Sequence, residues 1–259
     1  MRRLTLVLAL AALAPTVGLA DPTPTAEWQG NVGAGLIVMT GNTKTTTFTG
    51  GASAARESLG WIWSAKAAGA YGRNRANLPG AEISAYSMGG QLRLDRKFGE
   101  TWTVYVLGGL EADHVASVEL RSYEELGASA LWVDVKEKDF QWIGLRTDLG
   151  FRAQTERRYQ YFGTGIGPIA GADFYAPRLG LAFRYAFSKD VWFTEDAEFL
   201  PGVITSPNRF QTKSLSKLAA RVASNVTTGF SYLVADDSRP AAGKRRTDTT
   251  LSATIDLAY

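Results

Sequence analysis

From Glu27 to its C-terminus the chain repeats one texture, an extended run of alternating apolar and polar residues followed by a turn. The last run is the clearest. Leu251, Ala253, Ile255, Leu257 and Tyr259 fall on one side, and Thr250, Ser252, Thr254, Asp256 and Ala258 on the other. A period of two marks a strand with two unlike faces. Upstream, Trp28, Val32, Leu36 and Val38 oppose Gln29, Asn31 and Gly33, and Trp61, Trp63, Ala65, Ala67 and Tyr71 oppose Ser64, Lys66 and Gly72. Tyr86, Met88, Leu92 and Leu94 oppose Ser87, Gln91, Arg93 and Asp95, and Ile143, Leu145, Leu149 and Phe151 oppose Gly144, Arg146, Asp148 and Arg152. Tyr175, Leu179, Leu181, Phe183, Tyr185 and Phe187 oppose Arg178, Gly180, Arg184 and Ser188.

This pattern predicts strands over 27–39, 44–57, 61–73, 83–97, 101–113, 121–134, 140–153, 173–187, 191–202, 212–224, 227–236 and 247–259. Alternation alone fits a soluble sandwich as well as a barrel. The connections separate the two. Ser58–Gly60, Lys97–Gly99, Lys136–Asp139, Ser188–Asp190 and Asn225–Val226 are tight. Asn74–Glu82, Gln154–Ala172, Val203–Gln211 and Asp237–Arg246 are long, and His114–Leu120 is intermediate. Outer-membrane barrels sort their loops this way, with short turns on the periplasmic side and longer loops outside. Trp28, Trp61, Trp63, Trp102, Trp132, Trp142, Trp192 and Tyr259 lie near the strand ends assigned to the periplasmic side, where an interfacial aromatic girdle is expected. The expected fold is all-β, a transmembrane antiparallel up-and-down β-barrel of about 12 strands in a bacterial outer membrane.

The N-terminus fits that destination. Arg2 and Arg3 precede an apolar stretch, Leu4 to Ala14, and Gly18 and Ala20 place small residues where a signal peptidase reads. Residues 1–20 are expected to be a signal peptide, 21–26 a periplasmic linker carrying Pro22 and Pro24, and 27–259 the barrel. A membrane anchor is the competing reading, but spanning a bilayer as a helix takes about 20 apolar residues. Without Arg2 and Arg3 the net charge of +3 falls close to neutral, so a nucleic-acid partner is not expected. The chain has no cysteine, and an exported protein without disulfides needs another source of stability, such as a closed hydrogen-bond ladder.

By parity the inward face carries Lys66, Arg93, Arg146, Arg152, Arg178, Arg184, Lys217 and Arg221. The same face carries Asp95, Glu111, Asp113, Glu125, Asp148, Asp196, Glu198 and Asp256, so the two signs nearly balance. Such charges could set a transverse field in an open pore or satisfy one another across a narrow, occluded lumen; the narrow lumen is the preferred expectation. Glu195, Asp196 and Glu198 offer oxygen donors to a hard cation in principle, but acids of this kind more often pair with arginines across a lumen. No cofactor and no metal-ligand spacing is expected, since there is one histidine and no cysteine.

His114, beside Asp113 and Ser117, contains the residue types of a rim lipid hydrolase or acyltransferase. Such sets are recognised by geometry rather than by proximity in sequence, so an ordinary loop histidine is preferred. Gly163, Gly165, Gly167 and Gly171 lack a phosphate-loop spacing and read as an outer loop. Arg73 and Arg75, Arg157 and Arg158, and Lys244 to Arg246 make the outer loops basic. They could meet the phosphates of outer-leaflet glycolipid or serve loop solubility. The remaining expected partners are outer-membrane lipid and the barrel-assembly machinery.

Met39-Thr40-Gly41-Asn42-Thr43-Lys44-Thr45 follows the Gly33 to Val38 strand, and Gly41, Asn42 and Thr43 suit a tight hairpin connection. The segment resembles the opening of the YdiY-like salt-induced outer-membrane proteins, a family of uncharacterised domains. The likeness runs loosely on through Asp113 to a closing strand with a terminal aromatic residue. It implies an outer-membrane location and a link to salt or osmotic stress, and supplies no catalytic residues. Three functions compete: a non-enzymatic envelope barrel, a small-solute channel, and a lipid-modifying enzyme at the rim.

Overall fold

Strands this long that alternate in polarity leave an open sheet with two unpaired edges, and closure removes both. In the computed structural model the chain closes. The residues described are 28–39, 45–74, 83–138, 140–161 and 165–258. The signal and linker segments, the Gly41-Asn42-Thr43 turn, Arg75, Gly163 and Tyr259 lie outside them. Twelve antiparallel strands follow in order: β1 (Gln29–Met39), β2 (Thr45–Ser58), β3 (Trp61–Asn74), β4 (Ile83–Phe98), β5 (Trp102–Asp113), β6 (Val118–Glu137), β7 (Phe140–Gln160), β8 (Gly167–Ala186), β9 (Val191–Pro201), β10 (Phe210–Ala223), β11 (Val226–Asp237) and β12 (Thr247–Ala258). Each pairs with its sequence neighbours, and β1 pairs with β12 from Asn31↔Ala258 to Leu36↔Ala253, which shuts the ring.

The faces follow the alternation. Phe48, Leu92, Leu126, Leu149, Leu179, Phe230, Leu251 and Leu257 are among the large apolar side chains exposed around the outside. Inside, Asp95, Glu125, Asp148, Arg152, Glu156 and Arg184 are buried. A soluble fold inverts this arrangement; an apolar exterior around a polar interior is that of a membrane-spanning barrel. Trp61, Trp63, Trp102 and Trp132 stand exposed near one end, with Trp102 and Trp132 edge to face at 5.8 Å. The short turns close this end. At one of them Leu59 and Gly60 both take positive φ, as a two-residue hairpin turn requires. Trp192 departs from the expected girdle. It is on the inward face, under the guanidinium groups of Arg184 and Arg221.

The outer ends correct the expected strand limits. β7 runs on to Gln160 and β8 starts at Gly167, so most of the expected 154–172 loop is a hairpin extending the wall. β6 starts at Val118 and leaves only a short turn after β5. Beyond the bilayer the outward residues no longer need to be apolar, so the alternation fades while the hydrogen-bond ladder continues.

Candidate functional site

The lumen is filled from its walls. Tyr105 on β5 lies across the inward side of the neighbouring strands and is 1% exposed. Room for it comes from Gly127 and Gly150. A Cβ on Gly127 would lie 2.6 Å from both the Tyr105 hydroxyl and the Leu149 carbonyl, and one on Gly150 would lie 2.7 Å from that hydroxyl. The Tyr105 hydroxyl donates to Glu125 at 2.5 Å, and the Arg93 guanidinium lies 3.8 Å from the centre of the Tyr105 ring.

Around this tyrosine a continuous ion-pair chain crosses half the barrel. Arg93 pairs with Asp95 at 2.7 Å and with Asp148 at 3.2 Å. Asp148 also takes Arg146 at 3.3 Å and Arg178 at 3.2 Å. Arg178 continues to Glu198 at 2.8 Å and Glu125 at 3.4 Å, and Arg152 bridges the same two carboxylates at 3.3 and 2.8 Å. These residues come from β4, β6, β7, β8 and β9. Lys66 on β3 lies within electrostatic reach of Asp196 on β9, the strand directly across the ring. Four arginines and four carboxylates meet here, Arg93, Arg146, Arg152 and Arg178 with Asp95, Glu125, Asp148 and Glu198, and Lys66 and Asp196 add an opposite pair of charges nearby. Each desolvated charge is compensated by an opposite one, which neither sign could forgo.

A second layer closes the outer mouth. Glu156, whose side chain is fully buried, receives Arg121 at 3.0 Å, Arg158 at 2.6 Å and Arg209 at 2.8 Å. Arg121 also holds Glu111 at 3.1 Å, and Arg209 reaches Asp237 at the end of β11 at 2.5 Å. Arg209 therefore ties β7 to β11 across the opening. Beside this layer is a cavity of about 410 Å³, bordered by Glu111, Asp113 and Arg121 on one side and by Ala241, Lys244 and Arg245 of the β11–β12 loop on the other. Ala241 is buried, so this loop folds in over the mouth. Burial holds the Lys244 ammonium below its usual pKa, and Asp113 from the opposite wall acts against that shift.

The structure distributes the sequence-predicted residues over several places. Lys217 and Asp256 form a separate pair at 2.5 Å on the far wall. Arg184 and Arg221 meet no carboxylate among the described residues. Arg184 donates to the Gln141 carbonyl at 3.2 Å and stacks on Trp192. Asp113 caps the turn after β5 by accepting from the Ala116 amide at 2.9 Å. Of the rim cations, Arg158 turns inward, Arg246 pairs with Asp236 at 3.0 Å, and Arg157 stays exposed.

Glu156, Arg121, Arg209 and Tyr105 were not singled out from sequence, and Arg158 was read only as a cation of the outer rim. The parity that marks Arg152 continues through Gln154, Glu156 and Arg158, and would have found two of them. The acids Glu195, Asp196 and Glu198 separate: the last two face the lumen and Glu195 faces outward. Among the described residues no group of three or more metal-binding side chains forms.

His114 stacks on Tyr161 with ring centres 3.9 Å apart and meets the edge of Tyr86 at 4.5 Å. Burial holds its imidazole below the usual pKa. The Ser117 hydroxyl donates to Gln160 at 2.8 Å, not to His114. The three residue types of a hydrolase are adjacent here without the hydrogen bonds that would join nucleophile, base and orienting acid.

Residues 32–259 match the family described as "Protein of unknown function, DUF481". No curated protein sequence matches the chain. Among solved structures, an outer membrane channel from Pseudomonas putida F1 is similar with a TM-score of 0.51 and 9% identity, over 95% of this chain and 100% of that one. The NanC porin is similar with a TM-score of 0.48 and 12% identity, over 89% of this chain and 98% of that one. The translocator domain of the autotransporter NalP from Neisseria meningitidis gives 0.45 and 13%, over 93% and 90%.

Proposed function

The chain belongs to the DUF481 family and is an outer-membrane β-barrel; from that premise we propose that it is a non-enzymatic envelope protein whose lumen is held shut by its own paired charges. The observation that carries this reading is the ion-pair chain Arg93–Asp148–Arg178–Glu198 across the lumen. Twelve strands lie between barrels filled by side chains and those leaving an aqueous channel. Here the arginines and Tyr105 supply the filling. The role in salt or osmotic stress follows the sequence resemblance. Cells lacking the chain should survive raised salt less well while taking up small solutes at an unchanged rate.

Swelling of proteoliposomes in small sugars tests the closed lumen. Wild-type vesicles should swell no faster than empty ones. The charge-balanced variant Arg178→Ala with Glu198→Ala should swell measurably. Wild-type swelling at the rate of an open porin would overturn the reading.

A second reading, a small-solute channel, draws on the cavity beneath the β11–β12 loop. The solved Pseudomonas putida neighbour carries the description of an outer membrane channel. Deleting residues 239–245 separates the two readings. Swelling that appears on removing the loop alone places the barrier in a movable lid, and continued closure places it in the ion-pair chain.

A further inference from the structure

Two arginines stand on the outside of the barrel near the short turns. Along β2, Thr47, Thr49, Ser53 and Glu57 are buried inside and Phe48 is exposed, so the alternation turns Arg56 outward. Arg56 pairs in register with Trp63 on β3, and Trp28, just before β1, adjoins it from the other side. Arg96 on β4 is outward by the same rule, because Asp95 next to it is buried inside. Its register partners are Trp61 on β3 and Val104 on β5, both exposed. The Arg96 guanidinium lies 5.1 Å from the centre of the Trp61 ring and donates to the Leu59 carbonyl at 2.7 Å. The two arginines are therefore one outward row apart, with β3 and its tryptophans between them.

These tryptophans belong to the girdle, and girdle rings sit at the level of the lipid headgroups. Neither arginine has a carboxylate partner among the described residues, and the Arg56 Nε is buried without an acceptor. Elsewhere around this end Lys136 and Lys189 are answered by Asp134 at 2.7 Å and Glu137 at 3.5 Å. A groove of about 640 Å³ opens on the wall at the same place. Trp28 and Trp63 border one end of it, Leu126 and Phe151 the other, and the small residues Ala65 and Gly108 leave it open between. Trp63 is two residues from the short-turn end of β3, Val106 four from that of β5 and Leu126 eleven from that of β6. The groove thus climbs from the girdle toward the bilayer interior as it crosses the wall, and Glu124 stands at its outer edge, beyond Leu126.

We propose that this wall is a binding site for one anionic phospholipid, with its phosphate held by Arg56 and Arg96 and an acyl chain lying in the groove from Trp63 toward Leu126. A cation on the lipid-facing side at headgroup depth has the phosphates of the bilayer within reach, and guanidinium groups pair with phosphate through charge-assisted hydrogen bonds. The lipid supplies the opposite charge that the protein itself does not place there. A zwitterionic lipid brings its own ammonium group up to the two arginines, so a headgroup of net negative charge is preferred. The apolar groove adds what a free phosphate ion cannot use, a place for the chain attached to the headgroup.

Native mass spectrometry of the folded barrel, released in mild detergent from vesicles of equal parts phosphatidylglycerol and phosphatidylcholine, reads the lipid that stays bound. Wild type should retain phosphatidylglycerol over phosphatidylcholine by about fivefold or more. Arg56→Gln with Arg96→Gln should abolish the preference. Gly108→Leu fills the groove without strain, since a Cβ there meets nothing nearer than 3.9 Å, and should lower the retained lipid several-fold. Arg157→Gln with Lys138→Gln removes the same charge from exposed positions elsewhere and should change neither quantity. Retained heat-dependent gel mobility shows that each variant is still a folded barrel. Equal retention of the two lipids by wild type would overturn the proposal. So would a preference lost as fully in the Arg157 and Lys138 variant, which would make it a matter of net charge, or lipid retention that is insensitive to Gly108→Leu.

Discussion

Glu156 shows how much depends on single side chains in this lumen. One carboxylate with no exposure answers three arginines, from β6, from β7 and from the segment that leads into β10. Glu156→Ala leaves those cations facing each other across the outer mouth. Removing one partner of a buried ion pair costs about 3–5 kcal/mol. The variant should lose its heat-resistant gel mobility at a clearly lower temperature than wild type, and an unchanged transition would mean that water already screens the site. Asp256 is the comparison. It pairs with Lys217, each side chain retaining some exposure, so Asp256→Asn should be milder than Glu156→Ala.

At the scale of the element, which face points where was legible in the sequence, because a period of two is a local property of each strand. The alternation assigned Arg93, Asp148, Arg178 and Glu198 to the inside, which is where the structure places them. Strand length was less legible. β7 was expected to stop at residue 153, yet Thr155, Arg157 and Tyr159 continue the ladder with polar outward residues, where no lipid demands apolar ones. Partnership across the lumen was not legible. It depends on how far each strand slides past the next, so Arg184 and Arg221 were expected to meet acids and instead lie on Trp192.

The closing strand tests the facing directly. Leu257 is outward, between Val32 and Val226. Leu257→Arg should lower folding stability by up to about 2–4 kcal/mol near the midplane and less toward the interface. Refolding into vesicles, followed by gel mobility, measures this. A Leu257→Arg chain that folds as well as wild type would mean that residue 257 meets water.

For the whole molecule, the strands, the ring and the two charge layers bear on one property, whether anything passes. A closed ladder makes the wall, glycines at 127 and 150 admit Tyr105 into the interior, and the paired charges of the central layer bind five strands together across it. An open pore of this size has no need for Arg93, Arg152 and Arg178 each to be answered by two carboxylates or more. Steady conductance across a planar bilayer is the most direct measure. With wild-type protein inserted at 0.1 M salt, the current should show no stable ohmic step, and Arg178→Ala with Glu198→Ala should introduce one. A large, stable step from the wild-type barrel would contradict a lumen closed by its own charges.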